Sequence, residues 1–351
     1  MKFSILLIFI ALNFIPSYKE HDEFDKKVRP VSADTTERFS PAILPGKGLN
    51  QHPFLYAGEW DTRNNMQNLQ TIKVVRGGKV VWRYGFPIKD SNDVIQELGD
   101  ASMLKNGNIV FSAKTFAAVI TPSKQIIWKY IAPKGSEIHT AQPIGENKVL
   151  IMQNGNPVKP KLMIFNTKTN VIEKELEIPT TNPTSPHGQF RHIRMTKAGT
   201  FLIPNMSGKI IEYNGDGKEI WSVTAPSAWA AVRLKNGNTL ISGDSKGFAR
   251  EVNPQGETVW EFTQKDVSNI KIFNIQECTR LDNGNTIMAN WCAGLKDTAD
   301  WRKTVQILEV TKDKKVVWAL RSWDGKNDLG PSSSIHLLDQ KGRMENFDLQ
   351  R

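Results

Sequence analysis

The stretch VRLKNGNTLISG, residues 232–243, consists of a hydrophobic strand, a tight turn and a second strand. Nearly the same hairpin occurs at residues 103–113 (MLKNGNIVFSA) and at residues 280–290 (RLDNGNTIMAN). Asn-Gly tolerates positive φ, so the pair predicts a type I′ turn. A hairpin that occurs three times in one chain indicates a repeated supersecondary unit.

The repeat extends over most of the chain and is marked by a tryptophan at the end of each unit. Aligned segments such as KVVWRY and TVWEF contain Trp82, Trp128, Trp221, Trp260 and Trp318. The gap between Trp128 and Trp221 is twice the usual step, and VIEKELEIP at 171–179 lies in its middle with Leu176 in place of Trp. The chain therefore contains six units of roughly 40–58 residues, a period typical of stacked or radial repeats.

Each unit is predicted to form four short strands, as in AAVRLK, TLISGD, FAREVN and TVWEFT. These segments alternate with a period of two, and no segment has amphipathic helical spacing. The predicted fold is all-β: a six-bladed β-propeller of four-stranded antiparallel blades. The first unit lacks a strand before residue 54, and SSSIHLLDQKG at 332–342 aligns with AAVRLKNG. The C-terminal strand is therefore expected to close the ring and remove its open edge.

The N-terminus predicts export. One Lys precedes an apolar run from Phe3 to Ile15 that Pro16 ends, which is the pattern of a secretory signal. The predicted organisation is a signal peptide at 1–20, a polar leader or linker at 21–49 and a single propeller at 50–351. We expect a periplasmic or extracellular protein; an uncleaved signal, which would hold it at the membrane, is the alternative.

Composition excludes several classes of protein. The chain is 39% hydrophobic and 23% charged, which is typical of a globular domain rather than a disordered chain. Its formal charge of +10 comes from scattered lysines, which favour a solvated basic surface over a polyanion site. No nucleic-acid motif is present, so no nucleic-acid partner is expected. A monomer is predicted. Cys278 and Cys292 are predicted to be free buried thiols, with a disulfide as the alternative.

The segment NGNTLISGDSKGFAREVNPQGETVWEF, residues 236–262, resembles the repeats of PQQ-like propellers. The chain as a whole is also similar to uncharacterised exported propeller proteins of environmental and gut bacteria, and its NGN turns resemble those of arylsulfotransferase-type propellers. The PQQ-like resemblance implies the fold. Quinone enzymes of that type have eight blades, Ca²⁺ and adjacent cysteines, whereas this chain has six units and no Cys-Cys pair. PQQ is therefore not expected.

Loop length predicts which face of the ring is functional. The turns between first and second strands and between third and fourth strands are short and repeat their sequence. The loops at the other ends of the strands are long and irregular, as in GEWDTRNNMQNLQT and PTTNPTSPHGQFRH. Function concentrates on variable loops that a rigid scaffold holds. The long-loop face is therefore predicted to carry the ligand site, for a small molecule, a glycan or a protein.

Polar residues occur where the innermost strands should line the axial channel. The seventh residues before each turn glycine or its equivalent are Asp100, Thr140, His192, Ala230 and Glu277. Their preceding neighbours are Gly99, His139, Arg191, Trp229 and Gln276. Burying such groups costs several kcal/mol unless they are paired or hydrated.

Three interpretations of these residues stay open. The first is a hydrated channel whose polar groups satisfy one another. The second is a ligand pocket in which aromatic platforms and polar groups surround a small molecule or glycan. Its predicted residues are Trp60, Asp100, His187, Gln189, Arg191, Trp229, Gln276, Glu277 and Trp291.

The third interpretation is an enzyme, a transferase, lyase or hydrolase, with the catalytic residues His139, Arg191, His192 and Glu277. Either histidine would act as general base or nucleophile, Glu277 or Asp100 as acid or orienting group, and Arg191 would neutralise an anion. Asp100, His139, His192 and Glu277 have suitable chemistry for a divalent metal. They lack a local ligand spacing, so no metal site is predicted and the cofactor stays open. A binding or scaffold propeller is the preferred prediction, with the enzyme as the alternative.

Overall fold

The computed structural model describes residues 43–59, 61, 63, 69–206, 208–243 and 247–349. These residues form six antiparallel sheets of four strands each. The predicted six-bladed propeller is confirmed. Trp60 and the predicted signal peptide lie outside the described residues. Within those ranges, no helix combines the length and the apolar character that a membrane crossing requires.

The strands follow one another from the channel to the rim in five blades, and the first blade takes its innermost strand from the C-terminus. Blades 1 to 3 contain β1 (Phe54–Gly58), β2 (Leu69–Arg76) and β3 (Lys79–Pro87); β4 (Leu98–Met103), β5 (Ile109–Ala113), β6 (Phe116–Ile120) and β7 (Ile126–Ile131); β8 (Ser136–Gly145), β9 (Lys148–Gly155), β10 (Lys161–Asn166) and β11 (Val171–Glu177). Blades 4 to 6 contain β12 (Arg194–Met195), β13 (Phe201–Asn205), β14 (Lys209–Tyr213) and β15 (Glu219–Thr224); β16 (Ala228–Arg233), β17 (Thr239–Gly243), β18 (Phe248–Val252) and β19 (Thr258–Thr263); β20 (Asn274–Arg280), β21 (Thr286–Trp291), β22 (Ile307–Val310) and β23 (Val316–Leu320). The closing strand is β24 (Ser332–Leu337), and a one-turn helix, α1 (Thr298–Trp301), lies in the loop between β21 and β22.

The ring closes as predicted. Strand β24 pairs antiparallel with β1, with Phe54 opposite Leu337 and Tyr56 opposite Ile335. All four residues are buried, and they belong to the hydrophobic cluster between blades 1 and 6. The closing strand therefore gives β1 a partner on its channel side, so β1 is not an edge strand.

The repeated NGN hairpin does not contain the predicted type I′ turn. Gly107 N donates to Leu104 O over 3.0 Å, and Leu104 N donates to Asn108 O over 2.8 Å. Gly107 has a φ of 85°, whereas Asn106 keeps a negative φ. This is a type I turn followed by a glycine bulge, because only one residue adopts the left-handed conformation. The side chain of Asn106 accepts a hydrogen bond from Asn108 N over 3.0 Å, which explains why Asn precedes the Gly.

The repeated tryptophan joins each blade to the next. The indole Nε1 of Trp82 donates to Pro122 O over 2.8 Å, and Trp221 and Trp260 bond in the same way to Pro254 and Lys312. Each acceptor lies in the turn between the third and fourth strands of the following blade. Trp318 of blade 6 donates to Gly48 O over 2.9 Å, just before β1. In blade 3, which has Leu176, a lysine takes over this role: Lys174 Nζ donates to Gly215 O over 2.6 Å.

Candidate ligand site at the long-loop mouth of the channel

Bulges in the innermost strands determine which side chains face the channel. In blade 1 the pairing register of β24 shifts opposite Ala57 and Gly58. In four further blades the register of the innermost strand shifts between Leu98 and Ala101, Ile138 and Thr140, Ala228 and Ala230, and Ile275 and Glu277. A bulge places an extra residue in one strand and redirects its side chains. The shifts in these four further blades coincide with the positions that the sequence indicated.

Close packing of the inner strands also requires a residue without a side chain at one of these positions. A Cβ on Gly99 would lie 2.5 Å from His139 O. Glycine at this position lets blade 2 approach the backbone of blade 3.

In blade 4 the chain leaves its own sheet before the channel mouth. Strand β12 has only two residues. His192 N donates instead to Trp229 O of blade 5 over 3.1 Å. Thr140 of blade 3 donates its hydroxyl to Arg191 O over 3.0 Å. Blades 3 and 5 therefore hold the segment that carries Arg191 and His192.

An ionic network fills the middle of the channel. Arg194 binds Asp100 with two hydrogen bonds of 2.8 and 2.7 Å, and it donates to Glu277 Oε1 over 3.1 Å. His192 Nδ1 lies 3.0 Å from Asp100 Oδ1. Ile335 N donates to the second oxygen of Glu277 over 3.1 Å. We call Asp100, His192, Arg194 and Glu277 the middle network; it links blades 2, 4 and 6.

The electrostatics of the middle network centre on the pairing of Arg194 with Asp100 and Glu277. Although burial opposes it, the bidentate Arg194 guanidinium and His192 hold the pKa of Asp100 well below its ordinary value. Burial raises the pKa of Glu277 despite the nearby Arg194. A bidentate Arg–carboxylate pair is the strong form of a charged hydrogen bond. For Asp100, Arg194 and Glu277, the interpretation of a channel whose polar groups satisfy one another fits the geometry, whereas His192 Nδ1 lies close to Asp100 without a hydrogen bond among the described residues.

A second cluster lies nearer the long loops, and we call it the mouth cluster: Glu97, Lys114, Glu137, His139 and His187. Glu137 Oε2 lies 2.9 Å from His139 Nε2 and 3.0 Å from His187 Nδ1. Glu137 Oε1 pairs with Lys114 Nζ over 3.1 Å. The two oxygens of Glu97 each lie 3.5 Å from an Nδ1 atom, one on His139 and one on His187.

The mouth cluster controls the charge of its members. Burial, followed by the positive charge of Arg191, lowers the pKa of His139 to about 4. Although burial opposes it, hydrogen bonds to His139 and His187 hold the pKa of Glu137 well below its ordinary value. At neutral pH, the cluster therefore combines a neutral imidazole on His139 with an ionised carboxylate on Glu137.

Arg191 is the least satisfied polar group of the site. It is 1% exposed, and Nε, Nη1 and Nη2 have no hydrogen-bond partner among the described residues. Its guanidinium lies 4.8 Å from the ring centroid of Trp229. Nearby Glu59 is hydrogen-bonded to Gln276, and burial and repulsion from Glu97 raise the pKa of Glu59 well above its ordinary value. A guanidinium has five N–H donors, and burying them unpaired is costly.

The opposite end of the channel is covered by the C-terminal segment 343–349. A cavity of about 50 Å³ lies between this segment and the middle network, with Arg194 and His336 on one side and Met344 and Phe347 on the other. Lys105 N donates to Glu345 Oε1 over 3.1 Å and fixes the segment to a short turn. The long-loop mouth is therefore the end of the channel that this segment does not cover.

The predicted site residues separate into groups. Of the predicted catalytic residues, His139 and Arg191 lie at the mouth, whereas His192 and Glu277 belong to the middle network. The four residues whose chemistry would suit a divalent metal are divided in the same way: His139 lies at the mouth, and the middle network contains Asp100, His192 and Glu277.

Among the predicted ligand-binding residues, His187, Trp229 and Gln276 lie at the mouth, and Asp100 is in the middle network. Trp291 lies in a second strand, opposite Asn274. The side-chain amide of Gln189 is hydrogen-bonded to backbone groups of Gly155 and Asn182. Trp60 is outside the described residues.

Five charged residues of these clusters were not identified from the sequence: Glu59, Glu97, Lys114, Glu137 and Arg194. The signal that could have found three of them is the two-residue period of a strand. Arg194 lies two residues after His192, Glu137 two before His139, and Glu97 two before Gly99. Glu59 and Lys114 lie at the ends of other strands, where no such period applies.

Comparisons with known proteins support the fold and leave the activity undetermined. No protein-family model matches the chain, and no curated protein matches it either. A Bacteroides caccae protein of unknown function is 23% identical, with a TM-score of 0.68 over 81% of this chain and 97% of that one. A catalytically inactive virginiamycin B lyase from Staphylococcus aureus, solved with quinupristin, is 12% identical, with a TM-score of 0.50 over 79% and 88%. BamB from Moraxella catarrhalis is 12% identical, with a TM-score of 0.43 over 68% and 66%. The first two of these structures share the propeller fold with this chain, and the PQQ-like family stays a prediction.

Proposed function

We propose that this chain is an exported binding propeller, and that its ligand is a small molecule or glycan with an anionic group held by Arg191 at the long-loop mouth. The observation that carries the proposal is the buried guanidinium of Arg191, which has no hydrogen-bond partner among the described residues. Carboxylate, sulfate and phosphate groups accept paired hydrogen bonds from a guanidinium. Such a group would satisfy donors that are otherwise a cost to the folded protein.

The surroundings of Arg191 support a ligand with a ring or other flat apolar surface beside its anionic group. Trp229, against which Arg191 lies, is 8% exposed and contributes aromatic surface. The raised pKa of Glu59 favours its neutral form, so this carboxyl does not neutralise Arg191. The segment 343–349 covers the other end of the channel, so the ligand would enter from the long-loop side. The apolar run Phe3–Ile15 supports export.

The geometry favours binding over the predicted four-residue catalytic site. Glu277 is hydrogen-bonded to Arg194 and His192 lies 3.0 Å from Asp100 in the middle network, whereas His139 and Arg191 lie outside it. One substrate atom would not meet all four. Arg194 pairs with both acids of the network, which gives each of them a structural partner.

The test is a thermal-unfolding screen with four sugars that share one scaffold: glucuronic acid, glucose 6-sulfate, glucose 6-phosphate and neutral glucose. At least one anionic sugar should raise the melting temperature of the wild type, whereas glucose should not. The Arg191→Met variant should lose this response. Equal responses of variant and wild type, or crystals soaked in sulfate without an anion at Arg191, would contradict the proposal.

A further inference from the structure

We propose that Glu97, His139 and His187 bind one divalent first-row transition-metal ion, for which Zn²⁺ is the probe. The three residues come from different parts of the chain: Glu97 precedes β4, His139 lies in β8, and His187 lies in a single 3₁₀ turn before β12. One ligand atom from each lies within 4.8 Å of the others. The proposal is independent of the anionic ligand, because the three side chains alone form the site.

The distances approach those of a coordination sphere. Each oxygen of Glu97 is 3.5 Å from the Nδ1 of one histidine. Zinc binds nitrogen and oxygen at about 2.0–2.1 Å, so neighbouring ligands of a tetrahedral ion are separated by about 3.3 Å. If both oxygens of Glu97 bind the ion, these distances need to shorten by a few tenths of an ångström. If one oxygen binds it, the three ligand atoms start within 4.8 Å of one another and must move closer together. The rings of His139 and His187 are 5.5 Å apart and 76° inclined, so they do not stack in a way that would block an ion between them.

The residues around this set resemble an outer shell. A metal-bound histidine usually donates its other ring N–H to a carboxylate, which orients the ring. His139 Nε2 lies 2.9 Å from Glu137 Oε2, on the side of the ring away from Glu97. Glu137 is itself held by Lys114 over 3.1 Å. A metal bound through Nδ1 would keep this hydrogen bond of His139 intact, whereas at His187 Nδ1 the metal would replace the 3.0 Å contact with Glu137.

Two imidazoles and one carboxylate are a ligand set that zinc sites with an open position use. Three protein ligands leave at least one coordination position for water or for a group on a ligand. Arg191 is a second observation that points to a ligand here, since its buried donors are unpartnered among the described residues. An anionic group near Arg191 would lie close to such an ion.

His52 provides a contrast within the same chain. Its Nδ1 lies 2.7 Å from Asp339 and its Nε2 lies 3.1 Å from Glu309. The two carboxylates lie at opposite nitrogens of the ring, so no single point is close to three ligand atoms. His52→Gln is therefore the matched control: it removes a histidine bonded to two carboxylates without affecting the proposed site.

The experiment measures Zn²⁺ binding by isothermal titration calorimetry, with the purified chain free of any affinity tag. The wild type and His52→Gln should each bind one equivalent of Zn²⁺. The variants His187→Gln and Glu97→Gln should bind it about 100-fold more weakly or not at all. His187 is partly exposed, so its variant is expected to fold, and circular dichroism checks each protein. Co²⁺ should give visible absorption bands in the wild type that His187→Gln lacks.

Absence of Zn²⁺ binding in the wild type, or equal binding in wild type, His187→Gln and Glu97→Gln, would overturn the metal site. These outcomes are separate from those of the sugar screen. Anionic sugars that still stabilise a wild type treated with EDTA would leave the proposed function standing without the metal. Specific Zn²⁺ binding with no sugar response would support the metal site alone.

Discussion

Replacing Arg191 by Met should stabilise the free protein, although it removes a fully buried side chain from the ring. Met fills much of the same volume and has no donors to satisfy. Arg194, three residues later and also buried, is the matched comparison, because its guanidinium has partners on Asp100 and Glu277. The two substitutions remove the same chemical group from the same channel, and they should have opposite effects on the free energy of unfolding.

The magnitude follows from the partners of each guanidinium. Leaving buried donors unsatisfied costs about 1–3 kcal/mol, and replacing a buried charge by an apolar residue of similar size often stabilises by about 1–4 kcal/mol. The contact with Trp229 opposes this by about 0.5–2 kcal/mol. We therefore expect Arg191→Met to raise the free energy of unfolding by about 1–2 kcal/mol. Removing Arg194 leaves the Asp100 carboxylate buried without its cation, which should cost about 3–5 kcal/mol.

The assay is urea unfolding at pH 7.5, followed by circular dichroism, in a buffer without sulfate or phosphate. An anion that binds only the folded wild type would stabilise it by mass action and hide the difference. A loss of about 3 kcal/mol or more in Arg191→Met would refute the reasoning. It would mean that the positive charge of Arg191 stabilises the folded protein in the absence of any ligand.

Three further outcomes are expected. Burial lowers the pKa of His336 to about 4, so the unfolded chain binds a proton that the folded chain does not. This contribution to stability is complete above about pH 6.5 and is lost as the pH falls towards 4. In urea unfolding, His336→Gln should therefore reduce the dependence of the free energy of unfolding on pH over that range, by an amount that corresponds to at most one proton. Burial raises the pKa of both thiols to about 12, so Ellman's reagent should label Cys278 and Cys292 only after denaturation, and labelling in the native state would contradict their burial. Phe347 is only partly buried against the core, so Phe347→Ala should lower the free energy of unfolding in urea by about 1–2 kcal/mol; an unchanged midpoint would show that the C-terminal segment does not stabilise the ring.

The propeller was predictable because its signals are local and repeated. The turn glycines and the outer tryptophans recur in the sequence, and the alternation of apolar residues defines the strands without knowledge of their partners. The closing strand was predictable for the same reason, since 332–342 carries the same pattern as the inner strands. The predicted turn type was wrong because Asn-Gly occurs both in two-residue type I′ turns and in type I turns followed by a glycine bulge. The observed turn is of the second kind and contains one residue more than the predicted two-residue turn.

The candidate site was only partly predictable. Counting back from each turn located Asp100, His139, Arg191 and His192, since register along a strand is a property of the sequence. The count did not reveal that His192 belongs with Arg194 while His139 belongs with Glu97 and Glu137. Inner-strand bulges and the short β12 decide that division, and both depend on how neighbouring blades pair.

Strand periodicity and turn chemistry act over a few neighbouring residues, so the number of blades, the closure of the ring and the positions of its polar residues could all be derived from the sequence. Which of the charges are satisfied depends on contacts between blades. Arg194 and Arg191 are the same residue type three positions apart, yet one is bonded to Asp100 and Glu277 and the other lies against Trp229 without a hydrogen-bond partner among the described residues. The physical reason is that hydrogen bonding and Coulomb attraction depend on distances of a few ångströms between blades, which the order of residues along one strand does not specify.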